Sequence, residues 1–432
     1  MRIDVLKNRL LTKRLKTTTN RYILAPESSK LKVPKLERGV LMQSFIQDTQ
    51  NILRGIKMSL DFNKLISAFV GIIFSILWVL VILAFGSAFK LIKITPFEII
   101  NGYLISPRLG LCSLVNVFVE SIKSVEWGEY VVLMVLVLGL MLIWSVFAGA
   151  VTRLAALEFA RGEKTGLKDS LTFVMKKFWS YFWSPLTPIL GVLFFIACNV
   201  AGGLLGKIEF AGEIAVAVGF PLAILSGFLI VFLGIVGLIG FVLMFPAISS
   251  EGSDAFDAIS RAYSYVLSRP LHFLSLFITI IVCGTILTFV VGYGACFVMR
   301  ISYFTVGLGM GGKLNEIRNF ITGLSEVGDI VSSLNPITMR IAALLFMLYI
   351  VLVKMIVGSI IIAFTGSAST IAYLILRKDV DGTEIDDVYI EESDEEVAVE
   401  DEMPEEPVEQ KTQLTPESIV PPVQEKSDVP EK

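Results

Sequence analysis

The chain has 432 residues, of which 54% are hydrophobic, and its mean hydropathy is +0.73. Soluble domains are about 45–50% apolar by a similar count, so the composition excludes an ordinary soluble domain and favours a membrane protein. The formal net charge of −3 hides an asymmetry, because residues 379–432 hold 20 of the 40 acidic residues and only three of the 37 basic ones.

The N-terminal 64 residues are basic, with 14 Lys or Arg, and the first long apolar run begins only near Leu65. A cleavable signal peptide has its apolar stretch within the first 15–30 residues, so we expect the first span to remain as an uncleaved anchor. The domain division predicted from composition is a basic segment at 1–48, a membrane domain at 49–378 and an acidic tail at 379–432.

Six apolar runs follow one another along the chain and together contain a single charged residue, Lys354. Each is at least as long as the roughly 20 residues that a helix needs to cross the hydrocarbon core. The sequence therefore predicts an all-α integral membrane protein with six transmembrane helices, near residues 65–89, 130–152, 184–206, 214–250, 271–299 and 341–376.

The basic residues are distributed unevenly between the two sides of this arrangement. The side that holds the N-terminus receives 24 Lys or Arg outside the acidic tail, and the other side receives nine. Because cytoplasmic loops are enriched in Lys and Arg, we expect a multi-pass protein of the cell (inner) membrane with both termini in the cytoplasm. The expected partner is the lipid bilayer, and nothing in the sequence indicates nucleic acid.

Three amphipathic segments, residues 47–66, 165–185 and 252–273, each lead into an outward-going span. Their pattern predicts elbow helices that lie in the headgroup region, with Thr165 and Ser253 as the N-caps of the second and third. Basic and aromatic side chains of these segments are expected to contact lipid at the interface; they are Lys176, Lys177, Trp179, Trp183, Arg261 and Arg269.

The order of elements allows two architectures. Elbow, outward span and inward span occur three times, which indicates a threefold repeat, whereas an inverted 3+3 arrangement of the spans is the design of many transporters. Two outer segments, 109–122 and 314–334, carry apolar stripes at helical spacing. These stripes predict either helices that pack on the bundle or outer leaflet, or a dimerisation face.

The acidic tail contains six prolines and has no aromatic residue after Tyr389. Such a segment cannot bury enough apolar surface to offset chain entropy, so we expect it to be disordered. It serves either as a solubilising tail or as a docking site for a basic protein partner.

Two features of the spans are candidates for function. A Lys at the bilayer centre costs about 2.5–3.5 kcal/mol on insertion scales, so Lys354 either extends to the interface or lies in a pore or substrate path. The fourth span contains glycines that predict close helix packing or, alternatively, a gating helix; they are Gly227, Gly234, Gly237 and Gly240.

No catalytic motif is present, since the sequence lacks G-x-S-x-G, Walker A and H-E-x-x-H patterns. The only histidine, His272, and four scattered cysteines do not have the spacing of a zinc site. Glu251, Asp254 and Asp257 are interpreted as first-turn residues that complement the dipole of the third elbow helix. We therefore expect a protein that is not an enzyme and binds no cofactor.

The third elbow, DAFDAISRAYSYVLSRP, resembles a segment found in polytopic bacterial membrane-protein families whose function is uncharacterised. The second elbow is similar to it, and the resemblance covers roughly residues 150–300. It implies an integral membrane protein and carries no catalytic residues.

Two hypotheses of function follow from the sequence. A non-enzymatic membrane scaffold or assembly factor is favoured by the acidic tail, the basic N-terminal segment and the lack of paired charges within the spans. A transporter or channel for a small molecule or ion is the alternative, and it places Lys354 in the translocation path.

Overall fold

The structure is a computed structural model that describes residues 35–91, 127–322 and 337–390. These residues form ten helices and no strand. The helices are α1 (Lys35–Met58), α2 (Phe62–Ala88), α3 (Trp127–Arg161), α4 (Leu167–Lys176), α5 (Phe178–Leu205), α6 (Ala211–Glu251), α7 (Ala255–Ser268), α8 (Pro270–Met310), α9 (Gly312–Thr322) and α10 (Ile337–Asp381).

Six of these helices, α2, α3, α5, α6, α8 and α10, are long and apolar enough to cross a membrane. The predicted fold class, an all-α membrane protein with six spans, is confirmed. Several helices extend beyond the predicted runs, since α3 continues past Arg153 to Arg161 and α8 continues past Arg300 to Met310. A hydropathy run ends at the first charge, whereas helical hydrogen bonds continue through it.

The three short helices that precede spans, α1, α4 and α7, lie at one end of the bundle. There α1 packs against α8 and α10, α4 against α3, and α7 against α5 and α6. The same end holds the last turns of α3, α6 and α10. We call it the elbow end. An elbow helix followed by two spans occurs three times along the described chain, and α9 is inserted between the two spans of the third set.

The caps of the elbow helices differ from the prediction. Asp254, not Ser253, caps α7, because its side chain accepts a hydrogen bond from the Asp257 N–H at 2.8 Å. Gly166, not Thr165, stands at the N-cap of α4 and makes no side-chain bond. The Thr165 carbonyl instead accepts from the Asn63 amide at 3.2 Å, which links the second elbow to the start of α2.

The main buried core also lies at the elbow end. Buried residues of α1, α3, α4, α5, α6, α7, α8 and α10 contribute to it, among them Ala155, Val174, Ile248, Ala262 and Tyr373. In contrast, the far halves of α5, α6 and α8 expose large apolar side chains such as Val218, Leu222 and Val290, as expected of surfaces that face lipid.

The boundary of the membrane domain lies later than the predicted one at 378. Helix α10 runs to Asp381, and the compact unit that contains the helices extends to Tyr389. Composition places 379–389 in the acidic tail because it carries no information about which residues contact the bundle. The rest of the predicted disordered tail lies outside the described residues.

The remaining boundaries and loops are partly described. α1 begins at Lys35 and therefore runs across the predicted boundary at 48.

In the outer segment 314–334, α9 packs on α8 and α10, and its Leu314 and Ile317 are buried, as the bundle-packing interpretation expects. Residues 109–122 and 323–334 lie outside the described residues.

Candidate functional site

The most polar buried region is at the elbow end, and Arg153 of α3 is its first component. The side chain is only 4% exposed. Its Nη1 donates to the Ser249 carbonyl oxygen of α6 at 2.7 Å, and its guanidinium lies 4.0 Å from the centroid of the Phe173 ring of α4. A charge-assisted hydrogen bond and a cation–π contact thus connect three helices through one side chain.

A chain of hydroxyl groups lies beside Arg153. The Ser249 Oγ is 2.6 Å from the Thr152 Oγ1 and 2.8 Å from the Tyr181 hydroxyl oxygen. All three residues are buried, and they belong to α6, α3 and α5. Because a buried hydroxyl without a partner is costly, these bonds fix the register of the three helices against one another.

Glu251, the last residue of α6, is the centre of a second cluster. It accepts a hydrogen bond from the Tyr373 hydroxyl of α10. The Arg261 Nε of α7 lies 2.9 Å from its Oε2, and the Arg377 Nη1 of α10 lies 3.9 Å from its Oε1. One carboxylate therefore joins α6, α7 and α10.

The cluster continues on α7 through Arg261 and Tyr265. Arg261 also pairs with Asp257 at 2.9 Å and with Asp381 at 3.5 Å, and the Tyr265 hydroxyl donates to the Asp381 Oδ2 at 2.5 Å. Burial and the bond with Asp381 raise the pKa of Tyr265. Burial opposes the charge on Arg261, but the bond with Asp257 and the charge of Glu251 outweigh it, so the pKa of Arg261 is raised. Both side chains remain protonated at neutral pH.

Two further charged contacts lie at the same end. Lys64 of α2 is 1% exposed, pairs with Glu158 of α3 and donates to the Met58 carbonyl at 3.3 Å. His272 of α8 stands between two carboxylates, with its Nε2 at 3.1 Å from Asp48 of α1 and its Nδ1 at 3.2 Å from Asp379 of α10. Every elbow helix and every span thus has a polar or cation–π contact to another element at this end.

The chain turns back onto this cluster after α10, through residues 382–389, which we call the return segment. Gly382 has a φ of +73°, a left-handed conformation that ends the helix. The Arg377 Nη2 then donates to the carbonyls of Glu384 at 2.9 Å and Asp387 at 2.6 Å. The Tyr389 N–H donates to the Ser250 carbonyl at 2.8 Å, which ties the end of the return segment to the end of α6.

Gly252 makes room for this contact. It has a φ of +62°, and a Cβ at this position would lie 2.6 Å from the Cδ1 atom of Tyr389. The Tyr389 ring also lies 6.4 Å from the Phe173 ring, measured between centroids. The glycine that ends α6 is therefore required both by its backbone conformation and by the tyrosine that covers it.

Lys354 and the four glycines of α6, which are the predicted site residues of the spans, differ in how closely they are packed. Lys354 is half-buried in α10. Of the four glycines of α6, Gly237 packs closely, since a Cβ there would lie 2.9 Å from the Tyr263 hydroxyl. A Cβ at Gly240 would lie 3.6 Å from the Ala262 Cβ, whereas Gly227 and Gly234 face open space.

The predicted interfacial residues fall into two groups. Lys176, Trp179, Trp183 and Arg269 are exposed at the elbow end, and Lys177 is half-buried, so their side chains remain candidates for lipid contact. Arg261 differs, because its guanidinium is engaged by Glu251, Asp257 and Asp381. The predicted contact of Arg261 with lipid headgroups stays a prediction, and it competes with the three carboxylates that converge on this side chain within the protein.

Sequence reasoning missed most of the polar cluster. The predicted second span ends at residue 152 and so leaves Arg153 outside it, and the sequence places Glu251 in the third elbow helix. The partners of these residues are separated by 96 and 122 positions in the chain, so no local pattern connects them. The available signal was the position of a charge directly beside an apolar run, which places that charge at a helix end.

Comparisons with protein-family models, with curated proteins and with solved structures found no match. Within the described residues no group of three or more His, Cys, Asp or Glu side chains has the geometry to hold a metal ion. Chemically, most donors and acceptors of the elbow end satisfy one another, and the buried Arg377 Nε and Ser250 Oγ are exceptions. The evident effect of the cluster is to hold helix ends and the return segment in one arrangement.

Proposed function

We propose that the protein is a non-enzymatic scaffold or assembly factor of the cell (inner) membrane that presents its acidic tail from a fixed position. The observation that carries this proposal is the return segment. The chain is still bound to the bundle at Tyr389, through the Ser250 carbonyl, and 15 of the 20 acidic residues of the tail follow that position. A fixed exit point keeps the start of the charged segment at one place on the bundle, which a freely moving attachment does not.

The charge pattern supports a cytoplasmic position for the elbow end. Basic residues are concentrated in the segments at that end, as the positive-inside rule expects of a cytoplasmic side. The partner would then be a cytoplasmic or membrane-associated protein with a basic surface. Its attraction to the tail would weaken as salt screens the charges.

A pull-down in mild detergent tests the proposal. Full-length protein is compared with a truncation after Ile390 and with a full-length variant in which the acidic residues of 391–406 are changed to Asn and Gln. We expect both variants to lose the same co-purifying proteins, and added salt to release those proteins from the full-length chain. An unchanged set of co-purifying proteins after truncation would remove the main support for a scaffold.

The transporter alternative places Lys354, which is half-buried within a span, in the translocation path. A Lys354→Cys variant in a background without other cysteines would be treated with a membrane-impermeant thiol reagent. Leu348→Cys and Ile356→Cys serve as controls, because both side chains are exposed on the same helix. Labelling at 354 alone would favour an aqueous path, and an absence of labelling at 354 would contradict it.

A further inference from the structure

A cavity of about 460 Å³ lies between the spans α3, α5, α6 and α10. Most of its lining is apolar and comes from α3, α6 and α10, including Met141, Trp144, Val242, Phe245 and Ile362. Pro185 of α5 and Pro246 of α6 line its part nearest the elbow end. The partly exposed Val137 and Phe241 of the lining show that it opens to the surface of the bundle. Lys354 is not among the described residues that line it.

The polar groups of this cavity are already satisfied by the protein. Three hydroxyl residues contribute to the lining, Thr152, Thr365 and Ser369. The Thr365 Oγ1 donates to the Ile361 carbonyl at 2.9 Å, and the Ser369 Oγ to the Gly366 carbonyl at 3.0 Å. The Thr152 hydroxyl is bound within the cluster that contains Ser249. An ordered water needs two to four polar partners, so this lining favours an apolar occupant over water.

The size and depth of the cavity match one hydrocarbon chain. An apolar protein cavity of about 150 Å³ holds one benzene molecule, and the present volume is about three times larger. By that scale it accommodates roughly 18 carbon atoms. Along α3 the lining runs from Val137 to Thr152, which corresponds to about 22 Å at 1.5 Å per residue, a length similar to that of an extended acyl chain.

We propose that this cavity is a binding site for one acyl chain of a membrane lipid. The surroundings of the spans are hydrocarbon, and a void without partner atoms forfeits dispersion contacts that a chain restores. The occupant lies with its length along α3, and its polar end lies outside the cavity, because the lining carries no charged side chain among the described residues. This inference is independent of the proposed scaffold function.

Photo-crosslinking tests the site. The full-length protein is reconstituted into vesicles of palmitoyl-oleoyl phosphatidylcholine that contain a small fraction of phosphatidylcholine with a diazirine on one acyl chain. Labelled peptides are mapped by mass spectrometry after illumination. We expect labelling to be enriched on the cavity-lining residues of α3, α6 and α10 over equally apolar exposed faces such as that of α8.

Variants that fill the cavity provide the decisive comparison. Ala148→Leu places a larger side chain in the lining, and Ala201→Leu makes the same change at an exposed position of α5. We expect Ala148→Leu to lower the labelling of the lining about tenfold, the factor that corresponds to about 1.4 kcal/mol, and Ala201→Leu to leave it unchanged. If Ala148→Leu does not fold, Val242→Phe fills the cavity in its place, and Val282→Phe is its exposed control. We expect the same loss of labelling for Val242→Phe and none for Val282→Phe.

Two results would overturn the site. One is labelling spread evenly over the exposed apolar faces, or labelling of the lining that neither filling variant reduces. The other is labelling of the lining no stronger than that of the exposed faces, together with protein cross-links between copies. That result would show that a second copy of the chain covers the cavity.

Discussion

The elbow end and the far halves of α5, α6 and α8 are held together in different ways. At the elbow end, paired charges and bonded hydroxyls connect the helices and a close-packed core surrounds them. In the far halves, large apolar side chains face outward, with Val218 76% and Leu222 71% exposed. Lipid tails are as apolar as leucine, so apolar contact alone gives little preference for one helix arrangement. The comparison indicates that the polar contacts of the elbow end specify how the helices pair.

The largest loss of stability is expected at Arg153. Arg153→Met removes a charge-assisted hydrogen bond and a cation–π contact and leaves the Ser249 carbonyl without its donor. We expect the free energy of unfolding to fall by about 3 kcal/mol, measured by denaturant titration in detergent micelles. Arg161→Met is the control, because Arg161 is an exposed arginine at the end of the same helix; equal losses for the two variants would contradict the role given to Arg153.

The next effect is expected at Tyr373, whose hydroxyl donates to the Glu251 carboxylate. Tyr373→Phe removes only this oxygen, and we expect a loss of about 2 kcal/mol, typical of a hydrogen bond to a charged group. Tyr349→Phe makes the same change at an exposed position on the same helix. A loss at Tyr349→Phe as large as at Tyr373→Phe would mean that the Glu251 cluster does not stabilise the bundle.

A smaller and more local effect is expected at Gly252. Gly252→Ala forces a non-glycine residue into a left-handed conformation, at a cost of about 1–2 kcal/mol, and also displaces Tyr389. Gly162→Ala is the matched control, since Gly162 has a φ of +74° after α3 and nothing lies within 4 Å of its Cβ position. We expect both variants to lose stability and only Gly252→Ala to increase protease cleavage within 382–389. Equal cleavage in the two variants would count against the contact with Tyr389.

The smallest effect is expected at His272, because both of its ion pairs are partly exposed. A double-mutant cycle with His272→Gln and Asp48→Asn isolates the contact between α8 and α1. We expect a coupling energy of about 0.5–1 kcal/mol, as for other partly exposed pairs. A coupling energy of zero would show that α1 is held without this histidine.

The sequence predicted the elements well and the contacts between them poorly. The six spans are confirmed because uninterrupted apolar runs identify spans by length alone. The elbow helices were detectable because an amphipathic period of 3.6 residues marks a helix with one buried face. Both signals are local, so a single window of residues contains them.

The polar cluster could not be predicted in the same way. Arg153 meets Ser249, and Tyr373 meets Glu251, only after distant helices have packed. Composition places the return segment in the acidic tail because three of its eight residues are acidic and none is basic. Its attachment depends instead on backbone carbonyls that accept from Arg377 and on the space above Gly252, and neither is visible in composition.

Hydrogen–deuterium exchange of the full-length protein in lipid nanodiscs tests the central claim, that the elbow end holds the chain as far as Tyr389. A synthetic peptide of residues 382–390 gives the exchange rate of the free segment. We expect the Tyr389 amide, which donates to the Ser250 carbonyl, to exchange far more slowly in the protein than in the peptide, and Gly252→Ala to remove much of this protection. Equal exchange rates for Tyr389 in the protein and the free peptide would contradict the claim.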